Sequence, residues 1–169
     1  MTERRMTQPG IYISYTGVFD LREFFRMMND WFVGKGYDIA EKRHEELVRE
    51  SGKQIIFISE PFKKINDYIR NNINVNIVMQ DVQDVELTHE GVMRRLKSGT
   101  ATIRLRGFVD TDYEGRWATL PWRWYLRVLT ERYILKREVT HAEEQLDAEI
   151  KELNRLLKKY FNLMEAYEQ

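Results

Sequence analysis

The sequence predicts an α+β protein in which an antiparallel β-meander carries one N-terminal helix and a long C-terminal helix that covers one face of the sheet. Two observations lead to this fold class. Several segments between residues 11 and 109 alternate apolar and polar side chains, as strands with one covered face do. From Leu120 the apolar residues instead recur at helical spacing, and such a helix is needed to cover the apolar side of the sheet.

The composition is that of a globular protein. Of the 169 residues, 43% are hydrophobic and 32% are charged, and 27 Lys+Arg balance 27 Asp+Glu. The length suits one domain. No cysteine is present, which excludes disulfides and thiolate chemistry. Because no apolar run reaches the ~18 residues of a membrane span and no secretory signal is found, we expect a cytoplasmic protein.

Three parts are predicted along the chain. Residues 1–10 are expected to form a flexible tail, residues 11–138 the α+β domain, and residues 139–169 a C-terminal helix that extends the same domain. The domain opens with a strand over residues 11–16, which alternates apolar and polar side chains until Gly17 ends it.

The first helix is predicted to begin at Asp20. This residue is a good N-cap, and Glu23 completes a variant of the capping box because it stands three residues later. Gly34 and Gly36 favour a stop. Six apolar side chains share one helical face: Leu21, Phe24, Phe25, Met28, Trp31 and Phe32.

Residues 37–49 are open to two interpretations. The run AEKRHEELVRE is rich in good helix formers. Against this, ESGK at 50–53 is typical of a hairpin turn, and the strand-like run QIIFIS follows it. We prefer a hairpin whose first strand is highly charged.

Alternation predicts the remaining strands. Residues 69–79 and 100–109 alternate over their whole length, and residues 83–88 and 92–96 form a hairpin about THEG. KSG at 97–99 indicates a further turn. Antiparallel strands with one apolar and one polar face imply a sheet that is covered on one side only.

The C-terminal segment predicts one or two helices. Pro121 suits a first helical turn, and neither Gly nor Pro follows it. THAE at 140–143 matches a capping box, so either one long helix kinks near Thr140 or two helices meet there. The second half repeats apolar residues near 3.5-residue spacing: Val139, Ala142, Leu146, Ile150, Leu153, Leu157, Tyr160 and Met164.

This element order resembles the helix-grip arrangement of the START and Bet v 1 superfamily. The resemblance covers most of the chain but is topological, and the second short helix that precedes the meander in that superfamily is missing from the predicted elements. The stretches YTGVFDLREFF (15–25) and RGFVDTDYEGRW (106–117) also resemble those of small uncharacterised archaeal proteins. That second resemblance implies no activity.

Positive charge is concentrated between residues 94 and 137. This segment holds eleven basic and four acidic residues, with aromatic residues interleaved. Arginine neutralises phosphate and an exposed ring stacks on a base, so the pattern favours a non-enzymatic protein that contacts RNA or a ribonucleoprotein. The alternative is an ordinary solvent-exposed strand face whose arginines pair with neighbouring carboxylates. The predicted nucleic-acid-binding residues are Arg94, Arg95, Arg104, Arg106, Phe108, Arg116, Arg123 and Arg127.

The alternative function is a carrier of a small apolar ligand. The helix-grip resemblance implies a cavity between the sheet and the C-terminal helix, and a filled core is the competing interpretation. The predicted lining residues are Phe57, Ile73, Val75, Ile77, Ile103, Leu105, Leu126 and Leu129.

Catalytic and metal signatures are weak. No nucleophile elbow, P-loop or dinucleotide motif is present, so we name no catalytic residue and expect no cofactor. Asp110, Asp112 and Glu114 have the spacing of a calcium loop, but Pro121 stands where the closing glutamate belongs. They form only a weak metal candidate.

The last prediction concerns assembly. The apolar stripe from Val139 to Met164 spans about 39 Å of helix, whereas an ordinary strand covers about 20 Å. We therefore expect either a fold-back at Thr140 or a homodimer that pairs through residues 140–166, and the near-3.5 spacing favours the homodimer.

Overall fold

A computed structural model describes residues 3–114, residue 129 and residues 135–168. Within these ranges the fold class is α+β, as predicted, with an antiparallel sheet, one N-terminal helix and a long C-terminal helix. The elements are β1 (Glu3–Phe19), α1 (Leu21–Gly34), β2 (Glu41–Arg49), β3 (Gly52–Ser59), β4 (Phe62–Lys64), β5 (Ile69–His89), β6 (Val92–Thr111) and α2 (Lys136–Glu168).

The six strands form one antiparallel sheet in the order β1-β6-β5-β3-β2, and the short β4 pairs with β5. The first strand therefore pairs with the last, while β1 and β2 lie at the two edges. The long hairpin of β5 and β6 forms the centre of the sheet, with Ile77 opposite Ile103. This register places the apolar residues of both central strands on the same face.

The core lies between that face and α2. Side chains of β5 and β6 such as Ile77, Ile103 and Leu105 have no exposed surface. They meet the predicted apolar stripe of α2, and Ile150 packs so closely that a Cβ built on Gly107 would lie 2.6 Å from its Cδ1 atom. The members of the stripe with no exposed surface are Ala142, Leu146, Ile150, Leu153 and Leu157.

Helix α1 packs at one end of this core. The Asp20 side chain accepts the Glu23 amide at 3.0 Å, which confirms the predicted N-cap. The Tyr160 hydroxyl of α2 accepts the Asp20 amide at 3.0 Å and donates to the Asp20 carbonyl at 2.8 Å. Phe24 is buried with its ring centroid 5.6 Å from that of Tyr160, so both polar and apolar contacts tie the two helices together.

The ambiguous segment after α1 is a strand. Residues 41–49 pair antiparallel with residues 52–59, so the preferred hairpin is confirmed. The charged side chains of this edge strand remain largely exposed. Because β2 is an edge strand with only one neighbour, its side chains can be mostly polar. The same polar composition made a helix a plausible alternative.

Three local expectations differ from the structure. Gly17 does not end the first strand, because it pairs with Gly99 of β6 and β1 continues to Phe19. Residues 3–10, predicted as a flexible tail, extend β1 along β6, and Arg4 pairs there with the buried Asp110. KSG at 97–99, predicted as a turn, lies within β6 opposite a β-bulge between Gln80 and Gln83. A Cβ at Gly99 would lie 2.7 Å from the Gln80 carbonyl oxygen, so this glycine permits a close backbone approach instead of a turn.

Helix α2 runs without interruption from Lys136 to Glu168, so it neither ends nor restarts at Thr140, whose hydroxyl donates to the Lys136 carbonyl. The premise of the dimer prediction also changes. Strand β5 has 21 residues, so the sheet is long enough to bury the stripe within one chain. The homodimer through residues 140–166 stays a prediction without that support.

Among the described residues, neither α1 nor α2 contains an 18-residue window that is apolar enough to cross a bilayer. Pro121 and the other positions predicted to open the C-terminal helical segment lie outside the described residues.

Candidate functional site

The face of the sheet turned away from α2, here called the outer face, carries three of the predicted nucleic-acid residues. Arg104, Arg106 and Phe108 alternate along β6 with Ile103 and Leu105, which are fully buried on the inner side. Because successive side chains of a strand point to opposite faces, Arg104, Arg106 and Phe108 lie on one surface, as the sequence pattern indicates.

Aromatic rings accompany the two arginines. The guanidinium carbon of Arg104 lies 5.2 Å from the ring centroid of Tyr12, which stands opposite it in β1 and is 63% exposed. The corresponding distance from Arg106 to the Phe108 ring is 5.8 Å, and Arg106 Nη2 donates to Asn74 Oδ1 at 2.9 Å. Neighbouring strands therefore supply both a ring and an amide beside the arginine pair.

Arg104 and Arg106 differ from the other arginines of the outer face in their pairing. Among the residues that the structure describes, neither side chain has a carboxylate partner, and their Nε atoms, which are themselves buried, have no hydrogen-bond acceptor. Guanidinium groups stay charged at any physiological pH and present several donors in one plane. This pair is chemically suited to bind an anion.

Carboxylates hold a second pair of arginines on the outer face. Asp110 accepts from Arg4 Nε at 2.8 Å and from Arg70 Nη2 at 2.9 Å. Arg4 Nη1 also lies 2.8 Å from Glu60, which pairs in addition with Lys42. The side chains of the two acids are 1% and 7% exposed, against 43% and 28% for Arg4 and Arg70.

These contacts shift the titration of both acids. Burial alone raises the pKa of Asp110, but the hydrogen bonds and charges of Arg4 and Arg70 outweigh it and hold the pKa below its ordinary value. Burial opposes ionisation of Glu60 in the same way, and Lys42 with Arg4 lowers its pKa overall. Because the two acids are nearly buried while Arg4 and Arg70 are partly exposed, this part of the outer face exposes guanidinium groups rather than carboxylates.

Sequence reasoning missed Arg4, Arg70 and Glu60. Arg4 was assigned to the tail, and no local pattern connects Glu60 with it across 56 positions of the chain. The outer-face position of Arg70 could have been predicted. Arg70 stands two and four positions before Asn72 and Asn74, which the alternation places on the polar side.

Arg94 and Arg95 do not join this surface. Arg95 is nine positions from Arg104 along β6, about 30 Å at the usual rise, and pairs with Glu86 at 3.0 Å. Arg94 lies over the Tyr167 ring at 5.6 Å, near the end of α2. Three further candidates lie outside the described residues: Arg116, Arg123 and Arg127.

Most of the predicted pocket-lining residues occupy the packed core beneath α2. Those with no exposed surface are Ile73, Val75, Ile77, Ile103 and Leu105. Leu129 is 40% exposed, and Leu126 lies outside the described residues. Of the set that the structure describes, only Phe57 lines the pocket described next.

An apolar pocket of about 370 Å³ lies between α1 and the β2–β3 hairpin. The rings of Phe25 and Phe57 meet there with centroids 5.0 Å apart, and His44 lies 5.9 Å from Phe57. The imidazole of His44 also approaches Glu41, at 3.9 Å. The lining residues are Phe25, Met28, Asn29, Phe32, Ile39, Glu41, His44, Phe57, Ser59 and Pro61.

Two partial signals for this pocket are present in the sequence. Phe25 belongs to the apolar stripe of α1, and Phe57 was named as a lining residue of a different cavity. What could not be seen is that the polar edge strand β2 lies over both rings, since residues 37–49 were themselves ambiguous.

The weak metal candidate is occupied by other contacts. Asp110 binds two arginines, as described above, and Asp112 is buried with a backbone φ of 52°. Within the described ranges no group of three His, Cys, Asp or Glu side chains is arranged to hold a metal ion.

A buried polar cluster joins α2 to the segment after α1. Glu149 accepts from the Tyr37 hydroxyl at 2.6 Å and from Lys63 Nζ at 2.5 Å. Burial, followed by the hydrogen bond to Glu149, raises the pKa of Tyr37, so the hydroxyl keeps its proton. The charges are paired within the cluster, which therefore positions α2 and offers no open group for chemistry.

Neither a protein-family model nor a curated protein sequence matches this chain. The function is therefore inferred from the fold, the outer face and the apolar pocket. They define an α+β protein with a cationic outer face and a separate apolar pocket.

Proposed function

We propose that the protein binds single-stranded RNA, alone or within a ribonucleoprotein, through the outer face of its sheet. The observation that carries this proposal is that Arg104 and Arg106 have no carboxylate partner within the described residues and lie next to the exposed ring of Tyr12. Phosphate contacts by arginine and stacking of bases on aromatic rings are the two elements of single-strand recognition.

Amide side chains support the same proposal. Asn74 and Asn76 stand opposite Arg106 and Arg104 in the register of β5 and β6. Each amide offers two donors and an acceptor, which suits contacts to the edges of unpaired bases. The outer face therefore combines charge, a ring and hydrogen-bonding groups on a sheet surface that α2 leaves uncovered.

The test measures the binding of labelled single-stranded and duplex RNA by fluorescence anisotropy at several salt concentrations. We expect the single strand to bind more tightly and its affinity to fall steeply with salt, because phosphate contacts release counterions. The double variant R104E/R106E should abolish detectable binding. No binding of either RNA at ~50 mM salt, a concentration that favours electrostatic binding, would refute the proposal.

A matched control separates a local site from net charge. The variant R155E/K158E changes the chain by the same charge but on the exposed side of α2. It should retain most of the affinity and the native salt dependence. Because Arg106 bonds Asn74, the milder R104Q/R106Q should be measured too; it should lower the salt slope by about 1.4 if both groups contact phosphate.

A further inference from the structure

We infer that the pocket between α1 and the β2–β3 hairpin is a binding site for a small aromatic amine. The site is distinct from the outer face and from the predicted space beneath α2, because its walls are α1, β2, β3 and the segments that flank them. Its function does not depend on RNA binding.

The size of the pocket sets the size of the ligand. A volume of about 370 Å³ falls within the range of small-molecule sites. Since a water molecule takes about 30 Å³ in the liquid, the pocket has room for about a dozen non-hydrogen atoms. That corresponds to a bicyclic ring with a short side chain.

The walls favour a flat ring system. Phe25, Phe57 and His44 contact one another with centroid distances of 5.0, 5.9 and 6.5 Å, so they form a continuous aromatic wall. Met28 and Phe32 are buried on the helix side. An apolar ring placed here stacks or packs edge-on against these faces and displaces water from them.

The charge of the lining favours a cationic group. Among the ten lining residues Glu41 is the only carboxylate, and none is lysine or arginine. The faces of aromatic rings attract cations, and the carboxylate of Glu41 adds a hydrogen-bond acceptor at the exposed rim. His44 also faces this carboxylate, with its Nδ1 atom 3.9 Å from Glu41 Oε1.

The test uses the full chain and three indoles of nearly equal size that differ in charge: tryptamine, tryptophol and indole-3-acetate. Calorimetry gives the affinities, and amide chemical shifts locate the contact. We expect shifts at Phe25 and Phe57, with tryptamine binding about tenfold more tightly than indole-3-acetate and tryptophol lying between them. The charge-reversed variant E41K should invert this order, while E41Q should weaken tryptamine about threefold and leave tryptophol unchanged.

A blocking variant tests the location. Ile39 is 42% exposed at the rim, so Ile39→Trp should fill the opening without disturbing the core and weaken all three indoles at least about tenfold. Val33→Trp near the end of α1 is the matched control, because Val33 is 61% exposed and does not line the pocket. Unchanged binding by Ile39→Trp, or no binding of any indole, would overturn the site. Equal affinities for the three indoles would overturn the preference for an amine.

Discussion

The two faces of the central hairpin use different physical chemistry. On the inner face, Ile77 and Leu105 have no exposed surface and pack against α2. On the outer face the same two strands carry Arg104, Arg106 and Asn74, which remain in contact with solvent. The inner face can therefore supply stability while the outer face is free to carry ligand contacts.

Magnitudes support this division. Burying one large aliphatic side chain contributes about 1.5–3 kcal/mol, and the inner face buries many of them. An exposed ion pair contributes about 0–1 kcal/mol. Substitutions on the two faces of one strand should consequently differ several-fold in their effect on the free energy of unfolding.

The largest expected effect is that of Leu105→Ala. It removes a fully buried side chain from β6 and leaves a cavity beneath α2, so the free energy of unfolding should fall by about 2–5 kcal/mol. Thr102→Ala, three positions away on the exposed face, should change it by less than about 0.5 kcal/mol. Urea unfolding of both variants measures the difference. Equal losses would mean that the outer face is also a packed surface.

Asp110→Asn tests a deeply buried charge of the outer face. Its removal leaves Arg4 and Arg70 without their carboxylate, which should lower the free energy of unfolding at pH 7 by about 1–3 kcal/mol. Because the pKa of Asp110 is lower in the folded protein, its contribution is complete above the unfolded pKa of about 4 and is lost as the pH falls through the folded value.

The gap between the native chain and Asp110→Asn should therefore close as the pH decreases below about 4. Asp84→Asn is the control, since Asp84 also pairs with a cation, Lys97, but its side chain is 79% exposed. It should leave stability nearly unchanged. A gap that stays constant down to acid pH would show that the ion pairs of Asp110 do not stabilise the fold.

Much of the fold follows from patterns that need only short stretches of sequence. The capped stripe of α1, the alternation in β6 and the apolar repeat of α2 each report local geometry, and the structure confirms all three. Gly99 shows the limit of such patterns. A glycine is typical of a turn, yet here it accommodates the Gln80 carbonyl of the neighbouring strand, a contact that no local pattern contains.

The candidate sites depend more strongly on distant contacts. Alternation alone brings Arg104 and Arg106 to one face, but the ring beside Arg104 belongs to Tyr12, which only the pairing of the first strand with the last supplies. The pocket depends on β2 lying over Phe25 and Phe57. Pairing between strands far apart in the chain is set by the whole fold and not by composition.

The smallest expected effect distinguishes the two outer-face rings. Two guanidinium groups lie over Phe108, those of Arg4 at 5.2 Å and of Arg106 at 5.8 Å, whereas Tyr12 is 63% exposed and has the Arg104 group at 5.2 Å. A base can stack on a ring only where the ring is accessible. We therefore expect Tyr12 rather than Phe108 to supply stacking in the proposed RNA complex.

Tyr12→Ala should weaken binding of single-stranded RNA about fivefold, at the lower end of the range for one stacked base, and leave the salt dependence unchanged because no phosphate contact is lost. Phe108→Leu should keep nearly native affinity, since it preserves an apolar side chain beneath the arginines. Anisotropy titrations at two salt concentrations measure both properties. A larger loss for Phe108→Leu than for Tyr12→Ala would show that the bound base stacks on Phe108. The RNA would then lie nearer to Arg4 than to Tyr12.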